Sequence, residues 1–217
     1  MARFTLCEHE IVFDDGGMNL LSSDALRELR ELVGGLAGGP VVAFRSGRPN
    51  VFAAGADMAE MQRFTASEAA EFARLGQETF ATIEKLSCLT IAMIDGDCFG
   101  GALDLILAFD LRFATERSRF SHPGARLGIV TGFGGTSRWR KVIDARAARR
   151  LFLGNETLTA QDALAIGLID AIGEPRDIPN LDAAVVQMVK ELTIHAQRLD
   201  QRELALLAER LGKVYGC

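Results

Sequence analysis

From residue 94 to 110 the chain reads Ile-Asp-Gly-Asp-Cys-Phe-Gly-Gly-Ala-Leu-Asp-Leu-Ile-Leu-Ala-Phe-Asp, and no other stretch limits the possible folds as much. An apolar strand at 89–94 runs into a turn at Asp95-Gly96, and the pair Gly100-Gly101 then opens a short helix that is apolar almost all round. Adjacent glycines let a ligand approach bare backbone, and the start of a helix leaves its first amides unpaired. Such amides favour an anion or a developing negative charge. Asp104 is the sole ionisable side chain between Gly100 and Ala108, one turn beyond Gly101 and on the same face. The pattern predicts a carboxylate beside free amides. The same residues also suit close helix packing with an acid favoured by the helix dipole, so a second feature has to decide.

That feature lies upstream. Val41-Val42-Ala43-Phe44 is a continuous apolar run, the mark of a strand buried on both faces. A polar turn at 45–50 leads into Val51-Phe52-Ala53-Ala54-Gly55-Ala56-Asp57-Met58, where small residues crowd together as they do when backbone must sit against a ligand. Asp57 is a suitable cap for a helix starting near Met58, and 67–86 carries an apolar stripe at helical spacing. Before these, 4–13 reads as two short strands or one broken strand, and Ser22-Ser23-Asp24 caps an amphipathic helix that Gly34 and Gly35 end. Strand, helix, buried strand in that order predicts a largely parallel α/β sheet. Ligands of such sheets bind beyond the carboxyl ends of the strands. Two free amides, one from each small-residue junction, would there grip a single oxygen as an oxyanion hole.

With 217 residues, 48% of them apolar and 24% charged, the chain is long enough for one substantial core and is neither disordered nor collagen-like. A net charge of −5 without a basic run argues against nucleic acid as the main partner. The four cysteines have no metal-ligand spacing, and three sit next to apolar residues typical of reduced, packed thiols, which points to an intracellular protein. The first ten residues lack the apolar core of a signal peptide, and no apolar run is long enough to span a membrane, so the cytoplasm is the expected location.

The two junctions, Phe52 to Met58 and Asp95-Gly96 with Phe99-Gly100-Gly101-Ala102-Leu103-Asp104-Leu105, resemble the signature of the crotonase superfamily, the enoyl-CoA hydratase/isomerase family. The resemblance continues through Asp110-Leu111-Arg112-Phe113-Ala114, Phe120, Pro123, Leu127-Gly128-Ile129, Gly132-Phe133-Gly134-Gly135-Thr136 and Ala160, Ala163, Gly167, Leu168 and Ile169. It implies a spiral of repeated ββα units, an assembly as a homotrimer or dimer of trimers, and an acyl-CoA thioester as substrate, with coenzyme A part of that substrate and no separate cofactor or metal. It maps the oxyanion hole onto the amides of Ala56 and Gly101 and the acid/base role onto Asp104, with Ala54, Gly55, Asp57, Gly100 and Gly124 around the substrate. Stabilising a thioester enolate is common to hydration, isomerisation and decarboxylation, so the family alone does not fix the reaction.

Several departures matter. Hydratases resembling this chain carry two glutamates, whereas here the first position is the shorter Asp104 and the second, after Phe-x-x-Pro, is Gly124. Ordinary hydration is therefore expected to be slow or absent, and a lyase or isomerase variant, including a decarboxylase, is preferred. His122 is a candidate replacement base, although a histidine bonded to a loop carbonyl fits as well. Where relatives often carry a basic residue for the coenzyme A phosphates there is Asp14-Asp15-Gly16-Gly17, with Arg45 and Arg48 as possible substitutes or merely solvated turn residues. The basic stretch 137–153 reads as a helix with a solvated face rather than a nucleic-acid site. An acyl-thioester-binding core is expected over 1–174 and a C-terminal helical segment over 175–217, which covers the pocket or joins subunits and is shorter than in relatives. In that segment Tyr215 either reaches an active site or is ordered at an edge. The rival from another class is a non-catalytic acyl-thioester-binding subunit.

Overall fold

The structure, a computed structural model, describes residues 2–36, 41–154, 156–175 and 181–195, with the side chains of 191–195 excepted. The first strands, β1 (Phe4–Cys7) and β2 (Glu10–Phe13), form an antiparallel hairpin. Then come β3 (Leu20–Leu21) and α1 (Ser23–Gly34), the latter capped by the Ser22 hydroxyl. Three units follow in which a strand of one sheet is succeeded by a strand of another. These are β4 (Val41–Ser46) with β5 (Val51–Ala53), β7 (Leu89–Ile94) with β8 (Asp97–Phe99), and β9 (Leu111–Ala114) with β10 (Arg119–Ser121). Between the first and second units lie β6 (Gly55–Ala56), α2 (Met58–Met61) and α3 (Ala66–Glu84); between the second and third lies α4 (Gly101–Ile106). After a 3-10 turn at Pro123–Leu127 come α5 (Gly135–Arg138), α6 (Ala145–Gly154), β11 (Thr157–Thr159), α7 (Ala160–Ala165), β12 (Ala171–Ile172) and α8 (Ala183–His195).

Each unit gives its first strand to a six-stranded sheet ordered β1-β2-β4-β7-β9-β12 and its second to a four-stranded sheet ordered β11-β10-β8-β5. Neighbours from β2 to β12 in the large sheet are parallel, as are β5, β8 and β10 in the small one. This is the expected spiral of ββα units. Its core is rich in phenylalanine: Phe4 stacks on Phe13 with centroids 4.3 Å apart, and Phe44 meets Phe52 and Phe109 at 5.7 and 5.6 Å. Asn19, fully buried and at φ +53°, donates from Nδ2 to Phe13 O, Ser46 Oγ and Phe52 O. It satisfies the ends of two strands where they turn away from the sheet, and so fixes the entry to β3.

One expectation needs correction. The stretch 137–153 is three short pieces, α5, a 3-10 turn at Trp139–Lys141 and α6, interrupted before Ala145. The helical spacing of its arginines therefore does not run through. Arg138 is buried and pairs with Glu84 (2.9 Å), while Arg140, Arg146, Arg149 and Arg150 are exposed. The Asp104 helix also arrives differently, since β8 stands between the Asp95-Gly96 turn and the glycine pair.

Candidate active site

The glycine junctions meet. Gly55 has φ +103° and Gly100 φ +54°, conformations that L side chains rarely adopt. A Cβ on Gly55 would come within 2.7 Å of Phe99 O and 3.1 Å of Gly101 N, so the close approach leaves no room for a side chain. Asp57 N donates to Leu21 O at 3.3 Å, and because successive amides of an extended strand point to opposite sides, the Ala56 N–H points away from β3. On that side stands Gly101, where a Cβ would lie 3.4 Å from Ala56 N. The Gly101 amide opens α4, ahead of the helix's first bond from Leu103 N to Gly100 O (3.0 Å), and so belongs to the amides a helix leaves unpaired. Asp57 caps α2, its Oδ1 accepting from Ala59 N and Glu60 N at 2.9 and 3.1 Å. That helix begins at the junction's far end.

The two junctions form part of the wall of a cavity of about 370 Å³. Ala54, Ala56, Gly100 and Gly101 line one side, Met58, Met61, Phe72 and Ala73 another, and His122, Gly124 and the segment 129–133 close it. A hollow of about 390 Å³ beside α1 and α3 is lined mostly by charged side chains, among them the paired Arg30 and Glu78, and carries none of the expected chemistry.

Of the expected site residues, Ala54, Ala56, Gly100, Gly101, His122 and Gly124 border the cavity, whereas Gly55, Asp57 and Asp104 do not line it. Asp104 is completely buried. Its Oδ2 accepts a hydrogen bond from the Thr131 hydroxyl, and its Oδ1 lies so close to Gly135 that any Cβ there would overlap it. Burial pushes the Asp104 carboxyl up to about 7, against the opposing pull of the Phe133 and Gly135 amides and of the Arg138 charge. Those amides face the carboxyl without forming a true hydrogen bond to Oδ1, which has no partner. Phe133 is the screen in front: its ring lies against Gly101 and Gly76 and edge-on to Phe72 and Phe80 at 5.0 and 5.7 Å.

His122 is buried, its ring 4.8 Å from that of Phe152 and its Nδ1 without a partner, so it is not bonded through that atom to a loop carbonyl. Burial lowers its pKa and favours the neutral imidazole. Gly124 is crowded by it: a Cβ there would lie 2.8 Å from His122 Cε1 and 2.9 Å from Ile129 O. In this packing the site has no space for an acid at 124. Arg45 and Arg48 pair with Glu10 and Asp14 at 2.8 and 3.6 Å, and neither borders the cavity. The acids at 14–15 have a local task, with Asp15 accepting from Gly17 N, Asn19 N and Leu20 N at 2.7 to 2.9 Å. Tyr215 and the side chain of His195 lie outside the described residues.

The sequence profile of the enoyl-CoA hydratase/isomerase family matches residues 10–203. The chain belongs to that family. It is 34% identical over 164 residues to the crotonyl-CoA hydratase of Syntrophomonas wolfei subsp. wolfei, covering 74% of this chain and 63% of the relative. It is 32% identical over 166 residues to the short-chain-enoyl-CoA hydratase of Clostridium acetobutylicum, covering 75% and 64%. The matched part thus spans just under two thirds of those relatives' length. In fold, it superposes on a crystal structure of enoyl-CoA hydratase from Thermoplasma volcanium with a TM-score of 0.89, covering 100% of this chain and 93% of that one at 21% identity.

Thr131 and Arg138 are the residues of this site that sequence reasoning missed. The one available signal for Thr131 was a hydroxyl inside a run otherwise apolar or glycine, from Leu127 to Gly135.

Proposed function

We propose that the chain is an acyl-CoA-processing enzyme that holds a thioester carbonyl between the amides of Ala56 and Gly101 and stabilises the enolate formed there, with Asp104 as principal acid/base. The observation that carries this reading is the meeting of the two glycine junctions at one apolar cavity, with both amides left over by the local backbone pairing. Each such donor contributes on the order of 3 kcal/mol to the stabilisation of a developing oxyanion. The names of the relatives, a crotonyl-CoA and a short-chain-enoyl-CoA hydratase, support a coenzyme A thioester as substrate. The crowding at Gly124 speaks against water held between two carboxylates, and so for proton transfer at an enolate, as in an isomerase or decarboxylase, over standard hydration. His122, bordering the cavity with a free Nδ1, is the group that would replace the absent acid. The working assembly is a cytoplasmic homotrimer or dimer of trimers.

A second reading, a thioester-binding subunit without turnover, draws on Asp104 having no surface in the cavity. Incubation with crotonyl-CoA in deuterated buffer, followed by mass spectrometry, separates the readings. Deuterium uptake without added water supports enolate chemistry, addition of water restores a hydratase, and binding without either leaves the subunit.

A further inference from the structure

Asp104 is completely buried and absent from the cavity wall, and of its two oxygens only Oδ2 has a hydrogen-bond partner. That partner is the hydroxyl of Thr131, and Thr131, unlike Asp104, borders the cavity. The other neighbours of the carboxyl do not open a route. Phe133 lies over Gly101, and Gly135 closes on Oδ1. The charged and titratable groups facing Asp104 are Arg138 from α5 and the buried thiol of Cys98 from β8, among the described residues. Arg138 is occupied by Glu84 (2.9 Å) and Phe133 O (2.7 Å), and burial pushes the Cys98 thiol well above its ordinary range, so neither is suited to exchange protons with a substrate. We propose that the Thr131 hydroxyl is the proton-carrying group that joins the buried Asp104 carboxyl to the substrate in the cavity.

This rests on the reading of Asp104 as the acid/base. In the forward step the substrate's C–H bond breaks and its proton bonds to Thr131 Oγ1, while the hydroxyl proton already on Oγ1 passes to Asp104 Oδ2. The electron pair of the C–H bond enters the enolate, and the negative charge moves from the carboxylate to the enolate oxygen. Reprotonation runs the same two transfers backwards, to the same carbon or its vinylogous neighbour. Thr131 is then a catalytic residue. Thr131 lines the cavity, and its hydroxyl makes the connection to the buried carboxyl.

The test compares the full chain with Thr131→Val, Thr131→Ser and Asp104→Asn, measuring solvent-deuterium exchange into crotonyl-CoA across pH. Removing the hydroxyl is expected to lower turnover about 100-fold or more with KM within about threefold, the usual reach of a general acid/base group. Thr131→Ser restores most of the turnover, and its retained KM and activity show that the fold tolerates change at this position. The pH midpoint, expected near the Asp104 value of about 7, moves upward in the residual activity of Thr131→Val because the charged carboxylate has lost its donor. An unchanged rate and midpoint in Thr131→Val, with Asp104→Asn inactive, overturns the relay and leaves Asp104 acting directly. Parental exchange in Asp104→Asn removes the acid/base reading, and the relay falls with it.

Discussion

A carboxyl with no exposed surface holds its proton to higher pH than a solvated one, and Asp104 is such a group, its pKa raised by burial to about 7. The unfolded chain releases that proton near pH 3.8, so between the two values the folded state binds one proton more and stability falls as pH rises. The full contribution is present below the lower value, and the cost above the upper one is on the order of 4 kcal/mol at most. Asp104→Asn is therefore expected to be more stable than the parent at pH 8, with the advantage gone by about pH 4, in denaturant titrations at both pH values. No advantage at pH 8 would mean the carboxyl is ionised at little cost. Gly124 offers a second expectation, since a methyl there must displace His122 or the Ile129 carbonyl. Gly124→Ala is expected to cost about 1–3 kcal/mol in the same titration and to shift the His122 ring signals in proton NMR. At this scale the sequence pointed to Asp104 as a candidate and gave no sign of which way it faced, nor of Thr131 beside it. Asp104 was evident as the lone acid of a glycine-opened helix, but its burial depends on Thr131, 27 residues away, and on Gly135. Local spacing carries no information about that loop.

The segment from Thr131 to Arg138 is held from beneath by α3. Gln77 Nε2 donates to Gly132 O at 2.7 Å, Arg138 Nη1 donates to Phe133 O at 2.7 Å, and Arg138 Nε reaches Glu84 at 2.9 Å. Gly76 leaves the space in which the Phe133 ring lies. The backbone that presents Thr131 to Asp104 is thus tied to one long helix. Losing the buried arginine leaves Glu84, whose side chain is only 20% exposed, with the exposed Lys141 alone. Arg138→Leu is expected to destabilise by about 3 kcal/mol, and Lys141→Ala by well under 1 kcal/mol, when unfolding free energies are compared. Equal effects would show that the clamp contributes no more than its surface partner. The sequence displayed Arg138 as one of several arginines at helical spacing. The break before Ala145 resets the phase, so a position that seemed equivalent to Arg149 lies inside instead of out. The α3 stripe, by contrast, was legible, because a 19-residue helix with Phe72, Phe80 and Ile83 buried repeats its period long enough to be seen.

Across the molecule, the alternation of strands between two sheets places the ends of β5 and β8 side by side and so brings both glycine junctions to one cavity. The order of motifs pointed to this spiral. The three-residue strands β8 and β10 are too short to leave a period, which is why the second sheet could not be read from hydropathy alone. The last described helix, α8, belongs to the same body: Val186 is buried, and Lys190 Nζ donates to Cys88 O at 3.0 Å and to Asp110 Oδ2 at 2.7 Å. Asp110 also accepts from Thr90 N and Thr90 Oγ1 at 2.8 and 2.7 Å, so the pair ties α8 to the start of β7 and to the turn before β9. Lys190→Met keeps an unbranched apolar side chain and removes the ammonium, while Asp110 keeps its threonine donors. The loss is expected to be about 1–3 kcal/mol, less than for a fully buried pair because Asp110 retains 23% of its side-chain exposure. Because that ion pair anchors α8 and lies outside the strand ladder, the α8 amides should exchange with deuterium about 10-fold faster or more, while the β7 amides keep their protection. Faster exchange in both elements would mean that α8 and the sheet unfold as one cooperative unit. Unchanged exchange in α8 would mean that packing around Val186 holds the helix without the charge.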